Sequence, residues 1–458
     1  MKKIITLITV LAFISCKQEV KVDYAVLSGK IENAKDDKLT FNSSKSLIKE
    51  IIKVSEEGIF LDTLKVSRGY YILSDGKNKT TLYLEAGNTV TINFDANDFE
   101  NSLELSGAGS EISNYLINKN KKVKELLGEG TDIYLLEEAD YKAKMNEVKT
   151  ASEELLNTSE GISEDFKAKE KRDINYTYLG FVDRYQLYHS HYAKKKDFKV
   201  SDDFLKELET IDYNNEEDFL FSKNYENLVN SHYQKEAKKL AEKESIPDDI
   251  AYLKTIKEQV SNEIIKNKLA YVNSKYGITY TENLEEFYAL FMKISTNEEH
   301  KKDITESYNK LKTVTKGQPS PKFENYINFK GGTTSLDDLK GKFVYVDVWA
   351  TWCGPCIAEI PSLKEVEAKY HNKNIEFVSI SVDAEKDYEK WKTMVKDEDL
   401  KGIQLFSDKS WKSDFVTGYL IKGIPRFILI DPNGNIVSSN APRPSSEKLI
   451  ELFNENNI

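Results

Sequence analysis

Residues 343–356 read FVYVDVWATWCGPC, and this stretch decides the fold of the C-terminal part of the chain. Its first half is apolar and rich in β-branched and aromatic residues, which predicts a buried strand. Residues 357–366 read IAEIPSLKEV and have the spacing of an amphipathic helix. The stretch therefore predicts a strand that delivers two cysteines, Cys353 and Cys356, to the start of a helix.

Two cysteines at the start of a helix favour thiol–disulfide chemistry. The free N–H groups and the positive dipole end of the helix stabilise an anion, so Cys353 is the predicted nucleophilic thiolate. Cys356 lies one helical turn further along and is the predicted resolving cysteine, which attacks a mixed disulfide. Because the cysteine pair carries the redox equivalent itself, we expect no cofactor.

A Cys-x-x-Cys motif can also be half of a zinc site, which would need two further ligands. The remaining cysteine of the sequence is Cys16, far from the pair. The histidines are scattered, and none lies close in sequence to the cysteines. We therefore expect no metal site.

Residues from about 319 to 458 resemble the thioredoxin-fold domain of the TlpA/ResA-like extracytoplasmic thiol–disulfide oxidoreductases, above all through the motif WCGPC at 352–356. The resemblance implies an α/β thioredoxin fold. It implies that Asp347 is a buried acid that accepts a proton from Cys356, and it matches Glu359 to a functionally important acidic residue. The alternatives are a solvent-exposed aspartate at a strand end and an ordinary surface glutamate.

The same resemblance implies which residues contact the substrate. Within the motif these are Trp352, Gly354 and Pro355. Ile424 and Pro425 supply the opposite half of the site, with a cis peptide bond between them and a backbone that pairs with an extended substrate strand. The alternative for Pro425 is a trans proline that opens a strand.

The residues around the cysteines favour one direction of the reaction. Peroxiredoxins share the kind of segment found at 319–323, which leads into the domain. A peroxidase, however, would need proline and threonine several residues ahead of a single reactive cysteine. Peroxide reduction is therefore disfavoured. Gly354 and Pro355 resemble the reducing thioredoxins, with potentials near about −270 mV, more than oxidants near about −120 mV. A protein-disulfide reductase is favoured over an isomerase or oxidase. Its expected partners are client proteins with disulfides and a membrane electron-donor thiol–disulfide reductase.

Length and charge limit the remaining possibilities. A chain of 458 residues suggests two or three domains, and 40% apolar residues are enough to build them. The formal net charge of −11 opposes attraction to phosphate backbones, so we expect no nucleic-acid partner.

The amino terminus has the pattern of a secretory signal. Lys2 and Lys3 precede an apolar run at 4–14 that is too short to span a bilayer. Residues 13–16 read FISC and resemble a bacterial lipobox, which implies cleavage before Cys16 and acylation of its thiol. The protein is therefore predicted to lie in the cell envelope. A lipid on Cys16 would anchor it in the bilayer, and it would face the periplasm. A plain signal peptide with an incidental cysteine is the alternative.

Proline and glycine divide the rest of the chain. Alternating segments with glycine turns predict a small antiparallel β sandwich, whereas the following Lys/Glu-rich stretch with few helix breakers predicts several helices. Its stripe of tyrosines and phenylalanines between 166 and 192 is interpreted as core packing rather than a ligand groove. The predicted segments are a signal peptide at 1–15, a tether at 16–24, a β-sandwich-like domain at 25–108, a helical domain at 109–312 and a thioredoxin-like domain at 313–458.

A non-enzymatic alternative assigns the main task to the large helical region. The lipoprotein would then be an envelope docking protein. The intact cysteine pair, Asp347 and the Ile424–Pro425 pair argue against a redox domain that has lost its activity.

Overall fold

The computed structural model describes residues 22–43 and 49–458, which form two compact units. The first unit comprises the described residues up to 211 together with 217–228, and the second comprises 212–216 and 229–458. The predicted signal peptide and Cys16 lie outside the described residues. In the described part of the chain, no helix is long and apolar enough to cross a membrane.

The first unit begins with two sheets, of strand order β4-β1-β7-β8 and β3-β2-β5-β6. Buried and exposed side chains alternate along the strands, and Leu27, Phe41 and Ile92 belong to their shared core. The strands and the short helix between β7 and β8 are β1 (Tyr24–Glu32), β2 (Lys38–Ser43), β3 (Lys49–Lys53), β4 (Ile59–Lys65), β5 (Gly69–Ser74), β6 (Lys79–Leu84), β7 (Thr89–Asp95), α1 (Phe99–Ser102) and β8 (Glu104–Ser106).

The predicted strand-rich region is confirmed, with one difference in strand direction. Strands β1 and β7 run parallel, whereas the prediction was a small antiparallel sandwich. Parallel strands need a long crossover connection, and a local pattern of strands and turns favours hairpins instead.

The predicted helical region is also confirmed. On its longest helix, α4, Phe166, Ile174, Tyr178 and Tyr185 are buried, so this part of the aromatic stripe is core packing as predicted. Towards the end of α4, Tyr188 and Tyr192 are more exposed and their rings lie near Tyr134. The helices are α2 (Glu111–Leu127), α3 (Glu138–Thr158), α4 (Glu164–Tyr192), α5 (Glu216–Phe221) and α6 (Lys223–Glu244).

The second unit contains the last helices of the predicted helical region as well as the C-terminal sheet. The division between the two compact units therefore falls inside residues 109–312. These last helices are α7 (Asp248–Gln259), α8 (Glu263–Gly277), α9 (Leu284–Ile294) and α10 (Glu298–Leu311).

The C-terminal sheet has the order β10-β9-β13-β12-β11-β14-β15, with β11 near its centre. Strand β11 is parallel to β12 and antiparallel to β14, and α11 and α14 pack on one face through Leu363 and Phe453. This is the thioredoxin-like arrangement that the sequence predicts. Its elements are β9 (Tyr326–Asn328), β10 (Thr333–Thr334), β11 (Phe343–Trp349), α11 (Gly354–Tyr370), β12 (Ile375–Ser381), α12 (Tyr388–Asp397), β13 (Ile403–Phe406), α13 (Asp414–Gly418), β14 (Arg426–Ile430), β15 (Ile436–Ser438) and α14 (Glu447–Glu455).

Candidate active site

The two cysteines lie where β11 passes into α11. Cys353 is the N-cap residue of the helix, and Cys356 is in its first turn. Their sulfurs are joined in a disulfide, and both side chains are almost completely buried. The backbone N–H of Cys356 donates to Cys353 Sγ over 3.2 Å. A thiolate formed at Cys353 would accept this hydrogen bond at the positive end of the helix, which favours the charged form.

The other motif residues form the surface around the disulfide. Trp352 is more than half exposed, and its ring lies 6.4 Å from that of Trp411. Gly354 and Pro355 are exposed at the start of α11, where the absent N–H of proline costs no intrahelical hydrogen bond. The three exposed residues of the motif thus lie beside the two buried sulfurs.

Asp347 lies on β11 on the face that α11 covers. It is two residues after Tyr345, whose side chain packs in the same core cluster as α11, and residues two apart in a strand face the same side. Asp347 is 9% exposed, and among the described residues its Oδ1 has no hydrogen-bond partner. Burial, with smaller contributions from the charges of Glu359 and Glu367, raises the pKa of Asp347 to about 8.

Glu359 is on α11, and its side chain is only 12% exposed. Its carboxylate accepts hydrogen bonds from the backbone N–H and the hydroxyl of Ser445, over 3.0 and 2.9 Å. Arg443 lies 3.8 Å from the same carboxylate. The structure therefore places Glu359 in a defined contact with Ser445, rather than on the open surface.

The strand register brings Ile424 and Pro425 to the same edge of the sheet as the cysteines. Strand β14 starts at Arg426, which pairs with Val348 near the end of β11. The peptide bond between Ile424 and Pro425 is cis, as expected. Pro425 is buried and Ile424 is half-buried.

Asp383 is a site residue that the sequence reasoning missed. This fully buried carboxylate accepts hydrogen bonds from the N–H and the hydroxyl of Thr351, over 2.9 and 2.8 Å. It also accepts one from the hydroxyl of Ser381 over 2.7 Å. Asp383 comes just after β12, and Thr351 comes just after β11. Because these strands are adjacent and parallel, their carboxyl ends meet at one edge of the sheet. This placement is the sequence signal that could have identified Asp383.

Two expectations concern groups other than the cysteine pair. Cys16, the predicted lipidation site, lies outside the described residues. Within residues 22–43 and 49–458, no group of three or more His, Cys, Asp and Glu side chains could hold a metal ion.

Comparisons with known proteins show the family of this chain. Residues 315–451 match the Redoxin family model. A thiol-disulfide oxidoreductase ResA of Bacillus cereus is 33% identical over 133 residues, which is 29% of this chain and 73% of that protein. The chain belongs to the ResA-like thiol-disulfide oxidoreductases. It is a ResA-like enzyme, and the residues that match the Redoxin model include the cysteine pair, Asp347 and Pro425.

This ResA-like chain is similar to further proteins over about a third of its length or less. The thioredoxin-like protein YneN of Bacillus subtilis (strain 168) is 28% identical over 135 residues, 29% of this chain and 76% of that protein. The thioredoxin domain of a thiol-disulfide oxidoreductase from Bacteroides vulgatus is 29% identical, covering 31% of this chain and 98% of its own, with a TM-score of 0.28. A thiol-disulfide oxidoreductase from Bacteroides fragilis NCTC 9343 is 28% identical, with coverages of 30% and 99% and a TM-score of 0.27.

Proposed function

We propose that this chain reduces disulfides in client proteins of the cell envelope, through dithiol–disulfide exchange at residues 352–356. Two observations on adjacent elements carry the proposal: Cys353 lies at the N-terminus of α11, and the buried carboxyl group of Asp347 lies on the face of β11 that this helix covers. The helix end favours a thiolate, and the carboxyl group can take up a proton near neutral pH.

The first step is attack by the Cys353 thiolate on one sulfur of the client disulfide. A bond forms between Cys353 Sγ and that sulfur, and the other client sulfur leaves as a thiolate that takes a proton from water. Trp352, Gly354 and Pro355 contact the client around this bond, and the backbone at Ile424 and Pro425 pairs with its extended chain. The product is a mixed disulfide between enzyme and client.

The second step releases the client. The carboxylate of Asp347 takes the proton of the Cys356 thiol, and the resulting thiolate attacks Cys353 Sγ. The bond between Cys353 and the client breaks, the second client sulfur leaves as a thiolate, and the Cys353–Cys356 disulfide forms. Two electrons have passed to the client, so an external dithiol must reduce the enzyme again. We assign that role to a membrane thiol–disulfide reductase.

Glu359 tunes this second step rather than taking part in it. Its negative charge is among the causes that raise the pKa of Asp347. A higher pKa makes the carboxylate a stronger base for the proton of Cys356, while leaving part of the population ionised at neutral pH.

The direction is tested by the reduction potential of the Cys353–Cys356 pair, measured against glutathione in the chain that starts at Lys17. We expect a value near about −270 mV, which identifies a reductase. A value at or above about −180 mV would indicate an isomerase or oxidase instead. A pair that forms no measurable disulfide would favour the docking alternative. Cys356→Ser should trap the mixed disulfide with a client, and Cys353→Ser serves as the matched control that should not.

Anchoring is a second part of the proposal, and it rests on the lipobox pattern at 13–16. Cys16 is acylated and holds the enzyme on the membrane, facing the periplasm. Cells that express the full chain and are fed radiolabelled palmitate should label the wild type and leave Cys16→Ser unlabelled. Equal labelling of both chains, or of neither, would contradict the anchor.

A further inference from the structure

Arg426 is a buried cation at the end of the cis-proline loop, which we define as residues 422–426. It follows Pro425 directly and is 2% exposed. Its Nη2 donates to Thr279 Oγ1 over 3.0 Å, and its Nη1 donates to Asn440 Oδ1 over 3.1 Å. The guanidinium lies 4.0 Å from the centre of the Tyr280 ring. Two neutral oxygens and an aromatic face therefore compensate a desolvated charge.

A buried charge held in this way depends on the groups that surround it. Burial lowers the pKa of Arg426 to about 10, because the charged form loses its hydration. Removing a hydrogen-bond acceptor or a cation–π contact from such a group costs more than it would at the surface. Thr279 and Tyr280 thus stabilise the charge of Arg426, the residue that follows Pro425, by direct contact.

The end of α8, helix α10 and the turn that follows α8, residues 278–280, make further contacts at or beside the cis-proline loop. Lys422 Nζ donates to the carbonyl oxygen of Lys275 and to Ser307 Oγ, each over 3.1 Å. A cation at this position also complements the negative end of α8. Asn440 Nδ2 donates to the carbonyl oxygen of Tyr280 over 2.8 Å.

Gly423 brings the backbone of the loop close to the same turn. A Cβ atom at this position would lie 2.8 Å from Tyr280 Oη, closer than real Cβ atoms approach another atom. The absence of a side chain at Gly423 therefore allows Tyr280 to lie against the loop. Contacts from the turn thus reach the loop on both sides of Pro425.

We propose that Thr279 and Tyr280 are positioning residues that hold the cis-proline loop in the orientation that a polypeptide client needs. This inference deepens the proposed function and rests on it. An extended client pairs with the backbone of the loop, whereas a small aromatic disulfide needs only access to Cys353. Disorder in the loop therefore weakens the binding of protein substrates and leaves the reaction with small disulfides unchanged, because only the former use the loop.

The inference is tested in the full chain with matched substitutions. Tyr280→Leu removes the aromatic face under Arg426, whereas Tyr280→Phe keeps it. Thr279→Val removes the acceptor, whereas Thr279→Ser keeps it. Tyr276→Leu, one turn earlier on α8 at a side chain that is 54% exposed, is the control for a generic effect of losing a tyrosine.

Two measurements are made on each variant. The first is the steady-state reduction of insulin with dithiothreitol as the electron donor, compared with the reaction of the reduced enzyme with the small aromatic disulfide DTNB. The second is amide hydrogen exchange of residues 422–428. For Tyr280→Leu and Thr279→Val, we expect KM for insulin to rise by about threefold to tenfold, with unchanged DTNB rates. Exchange of residues 422–428 should become faster, while the Phe, Ser and Tyr276→Leu variants behave as the wild type.

Unchanged exchange in both Tyr280→Leu and Thr279→Val would overturn the inference. Faster exchange with an unchanged KM for insulin would also overturn it, because the contacts would then be structural only. A wild-type chain that reacts with DTNB but does not reduce insulin would refute the proposed function instead. Hydrogen exchange distinguishes the two failures, since it reports on the loop without any client.

Discussion

Asp347 combines burial with an unpaired oxygen. Buried carboxylates in folded proteins usually accept several hydrogen bonds, which stabilise the ionised form. Asp347 Oδ1 has no such partner among the described residues, and the charges of Glu359 and Glu367 oppose ionisation further. The folded chain therefore favours the protonated acid at a pH at which the unfolded chain has already lost that proton.

This difference predicts how stability depends on pH. The pKa of Asp347 rises from 3.8 to about 8 on folding, so the folded state binds more protons in between. The free energy of unfolding should accordingly decrease as the pH rises from about 5 to about 8, by at most about 1.4 kcal/mol per pH unit from this group. Asp347→Asn removes this part of the slope. Urea unfolding of the oxidised wild type and variant across this range measures it, and parallel slopes would refute the shifted pKa.

Thr351 gives a second prediction at the scale of a residue. Its N–H and hydroxyl both donate to the buried carboxylate of Asp383, which fixes the loop before Cys353. Thr351→Val keeps the shape of the side chain but removes one donor, and should lower the free energy of unfolding by about 1–3 kcal/mol. Thr393→Val, at an exposed position of α12, should change it by less than about 0.5 kcal/mol. Similar losses in urea unfolding for both variants would mean that the buried contact contributes little.

At the scale of the element, the segments with a strong local pattern were predicted well. The stretch 343–349 is β11, and the helix after the cysteines is α11. In each case the period of apolar residues and the adjacent turn residues determine the element.

Contacts between distant elements were not predicted. Asp383 and Thr351 are 32 residues apart, and Arg426 and Thr279 are 147 residues apart. No periodic pattern in the sequence marks either pair. Each contact depends instead on how the whole fold brings strands and helices together. The parallel pairing of β1 with β7 was missed for the same reason.

Replacement by alanine should have opposite effects on stability at two glycines of the first unit. A Cβ at Gly29 on β1 would lie 1.8 Å from the carbonyl oxygen of Ile92, whereas a Cβ at Gly180 inside α4 meets nothing within 4 Å. Gly29→Ala should lower the stability of the sandwich by more than about 3 kcal/mol, since the backbones of β1 and β7 must separate. Gly180→Ala should raise stability by about 0.5–1 kcal/mol through helix propensity. Urea unfolding followed by circular dichroism compares them, and effects of the same sign would contradict the close approach at Gly29.

At the scale of the whole molecule, the chemistry is confined to one of the two units. The cysteine pair, Asp347, Asp383 and the cis-proline loop all belong to the second unit, together with α8 and the turn that follows it. The first unit has its own apolar core in the β sandwich. The Redoxin match likewise falls entirely within the second unit.

This separation predicts that the sandwich can be weakened without loss of chemistry. Gly29→Ala should move the unfolding of the first unit to a lower urea concentration, while Cys353 of the reduced enzyme reacts with DTNB at the wild-type rate. The reason is that every residue assigned to the exchange reaction lies in the other unit, with a separate core. Thr351→Val is the opposite control, because it should alter the DTNB rate and leave the sandwich unchanged. If the DTNB rate of Gly29→Ala falls in step with the unfolding of the sandwich, the first unit is required for an intact active site.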